Sequence, residues 1–503
     1  MIDLLQWVGI DGVEPPGPFG PHGGQAGLPK HPQMLRYGGL TDPELTGDSL
    51  YDRTSRMLTG CQKLHDSTPD RVTEYVQRVH IGQSIDFDLY KSKAIFWLAA
   101  GRALDRHPLC IKLIRVSAQG ARRFQIAVPE SQLLNLHRRL AETRWPETET
   151  VRDWSQGVPL GELQALCGHW LTEYDWRATE RRMNRWPQYQ TEIDGLTIHF
   201  FHLPSATPEA VPLILTHGWP GSFFEFEQAM KRLAGSTSPT GDQFHLVVPS
   251  LPGYGFSGKP SRQGWDVHQI ARTWAELMNR LGYHRFIAAG SDWGTSVSTS
   301  LALQHPNRLL GLHLVPPLVP PLPVDGQTPT RQESAAAQEL RERNLTGSGY
   351  SAVQGTRPQT IGYSLVDSPV GLCAWILEKL WTWSDHPGDL FEVLSREQVL
   401  DNITLYWLTC TGASSARLYW ESIDEISTWF TDSIDDRIDV PIGCTVFPRE
   451  VPRPSRRLAE RRFTTIVHWG EPPRGGHFGA WEQPDLFVGE IRAVRQALTQ
   501  PRA

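Results

Sequence analysis

The sequence predicts an α/β fold, a parallel sheet covered by helices, with a helical segment inserted before the last strands. Three observations predict it. Short apolar runs alternate with helical patterns from about residue 193 onward. The first of these runs each lead into a glycine-containing loop. A proline-dense break, Pro316, Pro317, Pro320, Pro321 and Pro323, then interrupts the alternation, because such a run sustains neither helix nor strand.

Taken in order, the first fifty residues contain Pro15-Pro16-Gly17-Pro18, Gly23-Gly24 and Gly38-Gly39 and read as loop or disorder. Residues 51–127 are weakly helical, then strand-like at 111–116, and carry no motif. After Pro129, the spacing of Leu133, Leu134, Leu136 and Leu140 predicts an amphipathic helix, with further helices over 160–170 and 176–183. The period changes to two over 191–200, a hairpin turning at Asp194-Gly195. Strands follow at 212–216, 244–249, 285–289 and 309–315, with helices such as 274–281 and 296–305 between them. The insertion is expected to be helical over 332–343, 370–380 and 396–408. Strand patterns return at 438–447 and 464–469, and a helix over 485–498 closes the chain. The chain thus divides into an N-terminal extension (1–122), a mainly helical module (123–192), a first core part (193–316), a helical cap (317–436) and a second core part (437–503).

Composition narrows the function. The 503 residues are about three domains' worth at about 150 each. A formal charge of −6 without long runs of one sign argues against nucleic acid or an acidic membrane as partner. No apolar stretch approaches the roughly 18 residues that span a bilayer, so no transmembrane anchor is expected. Residues 1–12 have acids where a signal peptide needs Lys or Arg, and a cytoplasmic location is expected. Six cysteines without a C-x-x-C pair argue against a disulfide framework or thiolate metal site. No metal and no cofactor is expected, and no residue specifies an oligomeric state.

The strongest chemical signal is Gly290-Ser291-Asp292-Trp293-Gly294, set between a strand and a helix. It has the spacing of a nucleophile elbow, with Asp292 at the centre. The alternative is that Asp292 only caps the helix. A second signal, His217-Gly218-Trp219-Pro220-Gly221-Ser222, follows an earlier strand. In an α/β-hydrolase arrangement this loop and the residue after the nucleophile supply the oxyanion-hole amides, here Trp219 and Trp293. The third is His477 in Gly475-Gly476-His477-Phe478, after the last strand. The order nucleophile, acid, histidine places the acid near residue 447. Glu450 is best placed there, with Asp436, Asp439 and Glu471 weaker.

Together the pieces HGWPGS (217–222), PSLPGYGFS (249–257), GSDWG (290–294), FPRE (447–450) and GGHF (475–478) resemble the microsomal and juvenile-hormone type of epoxide hydrolase. So do Arg144-Trp145-Pro146, Tyr174-Asp175-Trp176-Arg177 and Pro187-Gln188-Tyr189, which are similar to that family's N-terminal module. The resemblance runs from about Phe124 to Arg495. Where membrane-bound relatives carry a hydrophobic anchor, this sequence has polar Gly/Pro-rich material, so a membrane location is not carried over. The resemblance implies that Asp292 opens the epoxide to give a covalent ester, which water activated by His477, oriented through Glu450, then hydrolyses. Two cap tyrosines donate the proton to the epoxide oxygen in that family, and the local matches are Tyr350 and Tyr419; Tyr406 lies close enough to be confused with Tyr419. An aspartate nucleophile suits the second step because an alkylated serine would be an ether without a carbonyl to attack.

The tryptophans at 375, 381, 383, 407 and 420 are expected as cap core and pocket wall, favouring small hydrophobic epoxides and a detoxifying or catabolic role toward aromatic ones. One rival is a haloalkane dehalogenase, which shares the aspartate and histidine chemistry but needs halide donors instead of phenols. The other is a non-catalytic hydrolase-like protein.

Overall fold

The computed structural model describes residues 120–234, 243–323, 326–430 and 436–499. These lie in one of the chain's two units, Leu109–Ala503. The expectations for the first fifty residues and for the strand-like 111–116 fall outside the described residues.

The N-terminal module begins with strand β1 (Arg122–Phe124), followed by helices α1 (Glu130–Ala141), α2 (Leu160–Thr172) and α3 (Trp176–Met183). Leu133, Leu136 and Leu140 are the buried face of α1, as their helical spacing requires, whereas Leu134 points to solvent. A hairpin follows, β2 (Gln188–Ile193) and β3 (Leu196–Leu203). Its turn residues Asp194 and Gly195 have φ of 52° and 77°, the paired positive angles that match a tight turn to strand twist.

Next come β4 (Val211–Thr216), α4 (Glu227–Ala234), β5 (Phe244–Pro249), α5 (Val267–Arg280), β6 (Phe286–Ser291), α6 (Trp293–Gln304) and β7 (Leu309–Val315). Among the described residues the regular elements of the cap are all helices: α7 (Arg331–Gly347), α8 (Gly349–Thr356), α9 (Pro358–Asp367), α10 (Pro369–Trp383), α11 (Arg396–Leu408) and α12 (Gly412–Thr428). The core resumes with β8 (Ile442–Thr445), α13 (Arg456–Ala459), β9 (Ile466–Gly470), α14 (Gly479–Glu482) and α15 (Pro484–Thr499).

The nine strands form one sheet in the order β1-β2-β3-β5-β4-β6-β7-β8-β9. The sheet is mixed rather than parallel. β1, β2, β3 and β5 pair antiparallel, and β5 through β9 are parallel. The hairpin is the physical reason: strands joined by a two-residue turn must run in opposite directions, while parallel neighbours need a crossover. The central β4 and β6 carry Leu213, Ile214, Leu215, Phe286 and Ile287 essentially without exposure. At about 1.5–3 kcal/mol for each such large apolar side chain, they fix the sheet centre and hence its carboxyl edge.

The cap is pinned to both neighbours. Helix α11 starts with a capping box, Ser395 with Gln398, and α7 with another, Thr330 with Glu333. Glu333 also accepts from Ser455 and Arg457 beyond β8. Toward the module, buried Asp401 of α11 accepts from Tyr174 (2.8 Å) and Thr179 (2.6 Å) and pairs with Arg182. Trp381 stacks on Trp154 with ring centroids 4.4 Å apart. No single helix among the described residues is long and apolar enough to cross a membrane.

Candidate active site

The strand-to-helix turn between β6 and α6 puts Asp292 at the carboxyl edge of the sheet, with φ 52° and ψ −124°. A non-glycine residue there is strained, and the surrounding packing must hold it. The flanking glycines show how close that packing is. A Cβ on Gly290 would lie 2.3 Å from the Gly294 backbone, and one on Gly294 would lie 1.9 Å from the Thr216 carbonyl. The Asp292 side chain does not cap α6. Instead its Oδ1 accepts the Trp219 backbone N–H at 2.9 Å, so the helix-cap alternative fails.

The loop that delivers this amide is held from the cap. Asn402 donates to the Pro220 carbonyl at 2.7 Å, and the Tyr406 hydroxyl donates to the Gly221 carbonyl at 2.8 Å. Tyr406 is thereby committed to the loop, which separates it from Tyr419. The other expected amide, that of Trp293, opens α6 and makes no hydrogen bond to the Asp292 carboxylate among the described residues.

His477 faces the other oxygen. Its Nε2 is 3.4 Å from Asp292 Oδ2, and its Nδ1 is 3.0 and 3.2 Å from the two oxygens of Glu450. Both His477 and Glu450 are buried. Burial opposes charge on the imidazole, but the Glu450 and Asp292 carboxylates outweigh it and raise its pKa to about 10. The resting histidine is therefore an imidazolium between two carboxylates. The weaker acid candidates are engaged elsewhere: Asp436 with Arg462, Asp439 with Thr464 and Glu471 with the Trp469 indole.

Above the carboxylate, Tyr350 and Tyr419 come together with ring centroids 5.7 Å apart, edge to face. Desolvation above all, with the Asp292 charge adding to it, keeps both phenols above the ordinary tyrosine range. The Tyr350 ring lies parallel to the Trp219 indole at 4.9 Å, and Tyr419 meets Trp293 edge-on at 4.8 Å. Trp383 closes the wall, 5.3 Å from Tyr350 and 5.0 Å from the His477 ring. Of the cap tryptophans, Trp420 departs from the expected packing and is half exposed.

Every expected site residue thus gathers in one place except the Trp293 amide, which lies beside it without reaching the carboxylate. Sequence reasoning missed Asn402 and Glu482. Glu482 accepts the N–H groups of Gly476 (3.0 Å), Phe478 (3.0 Å) and Asp385 (2.7 Å), bracketing His477. Burial pushes its carboxyl up to about 7 despite those donors. Its spacing of five from the histidine, at the start of a helical pattern, was the available signal. Among the described residues no cluster of three or more His, Cys, Asp or Glu could hold a metal.

Comparison with known proteins now decides the family. The model described as epoxide hydrolase N terminus matches residues 121–226, and that of the alpha/beta hydrolase fold matches 211–344. Epoxide hydrolase 1 of Oryctolagus cuniculus is 31% identical over 437 residues, covering 79% of this chain and 95% of the relative. The chain belongs to the epoxide hydrolase family. A Stigmatella aurantiaca protein that bears an epoxide hydrolase name is 50% identical over 374 residues, 73% of this chain and 83% of that one. Among solved structures, the Aspergillus niger epoxide hydrolase matches with TM-score 0.69 and 31% identity, over 75% of this chain and 97% of that chain. The α/β-hydrolase fold is shared, and epoxide hydrolysis is this family's reaction. That outcome favours epoxide hydrolysis over dehalogenation and an enzyme over a non-catalytic relative.

Proposed function

We propose that this epoxide hydrolase converts small hydrophobic epoxides to vicinal diols through an ester on Asp292. The observation that carries the reading is one carboxylate with two differently engaged oxygens, Oδ1 on the Trp219 amide and Oδ2 facing His477, below paired phenols. Oδ2 attacks an epoxide carbon, the ring C–O bond breaks, and the departing oxygen takes a phenol proton. The imidazolium restores that phenol. Alkylation has removed one of the two carboxylates that held the His477 proton, so the histidine becomes available as a base.

Water then gives a proton to His477 and adds to the ester carbonyl carbon. Charge develops on Oδ1, where the Trp219 amide already sits. Collapse expels Oδ2 with the diol, which takes the hydroxyl proton of the intermediate, and the resting carboxylate and imidazolium return. The aromatic wall of Trp219, Trp293, Tyr350, Trp383 and Tyr419 supports an apolar substrate.

The test is single turnover with styrene oxide. His477→Gln should accumulate an adduct at Asp292, seen as an intact-mass increase of one substrate, and Asp292→Ala should show neither adduct nor diol. In labelled water the wild type should place the label on Asp292 before it appears in diol. Full turnover by the Asp292 variant would sink the mechanism. The Trp293 indole N–H, buried without a partner among the described residues, is a feature a halide reading could use. Halide release from chloroalkanes should be absent beside diol formation.

A further inference from the structure

The two phenols over Asp292 are not equivalent. The ammonium of Lys379 lies 4.7 Å from the centroid of the Tyr350 ring and 5.8 Å from that of Trp383. Lys379 is buried, on the last turns of α10, and its Nζ donates to the Gly347 carbonyl at 3.2 Å and pairs with Glu378 at 2.6 Å. Among the described residues no cation lies over the Tyr419 ring, whose neighbours are the rings of Trp219, Trp293 and Tyr350.

Taking a lysine out of water costs free energy, and here the charge is carried to an aromatic face where a leucine or methionine would fill the space. A cation is attracted to a phenol ring, and more strongly once the phenol has lost its proton, because negative charge then spreads into the ring. Stabilisation that grows as the proton leaves lowers the barrier to giving it.

We propose that the Lys379 ammonium polarises the Tyr350 phenol, so that Tyr350 delivers the proton to the opening epoxide while Tyr419 holds the same oxygen. Lys379 is a positioning residue in this scheme, since it acts through Tyr350 and touches no substrate. The inference rests on the aspartyl-ester reading above. In the step concerned, the bond from Asp292 Oδ2 to carbon forms, the epoxide C–O bond breaks, and the Tyr350 O–H proton passes to the freed oxygen. The other charges facing Tyr350 are the Asp292 and Glu378 carboxylates, which oppose loss of its proton, and Arg343 of α7, which favours it. Arg343 reaches the site through the Trp383 face at 5.0 Å.

The experiment follows ester formation and ester breakdown separately by rapid-quench intact mass with styrene oxide. Lys379→Met should slow ester formation about tenfold, for the loss of a desolvated cation–π contact, and leave breakdown within about twofold. The alkaline limb of the formation step should move to higher pH, Lys379→Arg should restore most of the rate, and in a Tyr350→Phe background Lys379→Met should cost nothing further. An unchanged formation rate in a folded Lys379→Met enzyme, or an undiminished effect in the Tyr350→Phe background, would overturn the inference. Should Lys379→Met fail to fold, Glu378→Gln tests the same idea from the other side. Removing the counter-charge should speed ester formation and lower its alkaline limb, and no shift in either would also overturn it. Absence of any ester in His477→Gln refutes the underlying reading, whereas ester forming at an unaltered rate in the Lys379 variant refutes only the role of Lys379.

Discussion

The backbone N–H of His477 is held by the carbonyl of Trp383, 2.9 Å away, so the last residue of a cap helix and the histidine loop form one hydrogen-bonded unit. Glu482 completes that unit by accepting from the residues on either side of His477 and from Asp385 just past the helix. The cap therefore does more than cover the site.

Replacing Glu482 by Ala leaves two buried N–H groups, of Gly476 and Phe478, and the partly buried N–H of Asp385 without an acceptor. Each buried one costs about 1–3 kcal/mol if no water replaces it. The midpoint of thermal unfolding should fall clearly. In the surviving fold, ester breakdown, which depends on His477, should slow by about tenfold or more while ester formation changes less. Stopped-flow and calorimetry on one preparation check both parts.

Three tyrosines on or near the site should respond differently to loss of the hydroxyl. Tyr350→Phe and Tyr419→Phe should each lower ester formation, by roughly 100-fold for the main acid. Tyr406→Phe frees only the Gly221 carbonyl and should cost several-fold through a looser Trp219 amide. A loss for Tyr406→Phe as large as for Tyr419→Phe would reverse their assigned parts.

The two carboxylates around His477 should be visible in its titration. Histidine-selective NMR should find the imidazolium persisting to about pH 10 in the resting enzyme, and Asp292→Asn should bring that titration down. The sign for stability follows. The folded state holds this proton more tightly than the unfolded chain, so the contribution is full below about 6.5 and is lost as pH rises through about 10.

Asp401→Ala removes the shared acceptor of Tyr174, Thr179 and Arg182. Denaturant unfolding should show a loss of about 2–4 kcal/mol, because donors in a buried site are left unpaired. Arg182 is one-third exposed and keeps Glu227 as a partner, which holds the loss below that of a fully buried pair.

The sequence made the centre of this molecule legible and its supports obscure. β5, β7, α3 and α11 stand where apolar period and capping residues put them, since these signals are local. The elbow was readable because crowding at Asp292 leaves glycine as the only residue for positions 290 and 294. Helices α8, α9 and α12 were not foreseen. Glycine-rich 349–356 has little apolar period of its own, and its helix is made by packing against neighbours. The parallel βα pattern holds for every strand from β4 to β9. The antiparallel edge, where the hairpin and β1 join the same sheet beside β5, had no local signal because β1 is only three residues long. Asn402, Glu482 and Lys379 carry ordinary helix-surface identities, and only partners brought close by the fold give them their parts.

Helix α11 has Asp401 turned to the module and its neighbour Asn402 turned to the Trp219 loop. A chain begun after Met183 would keep the nucleophile, the acid, the histidine and Asn402 itself, yet it would leave Asp401 beside Asn402 without Tyr174, Thr179 and Arg182. The helix that braces the Trp219 loop would then carry an unpaired buried carboxylate. A foreign cap grafted onto this module meets the same condition and must offer Tyr174, Thr179 and Arg182 an acceptor. The smallest unit that can be shortened, exchanged or evolved alone is therefore module and cap together.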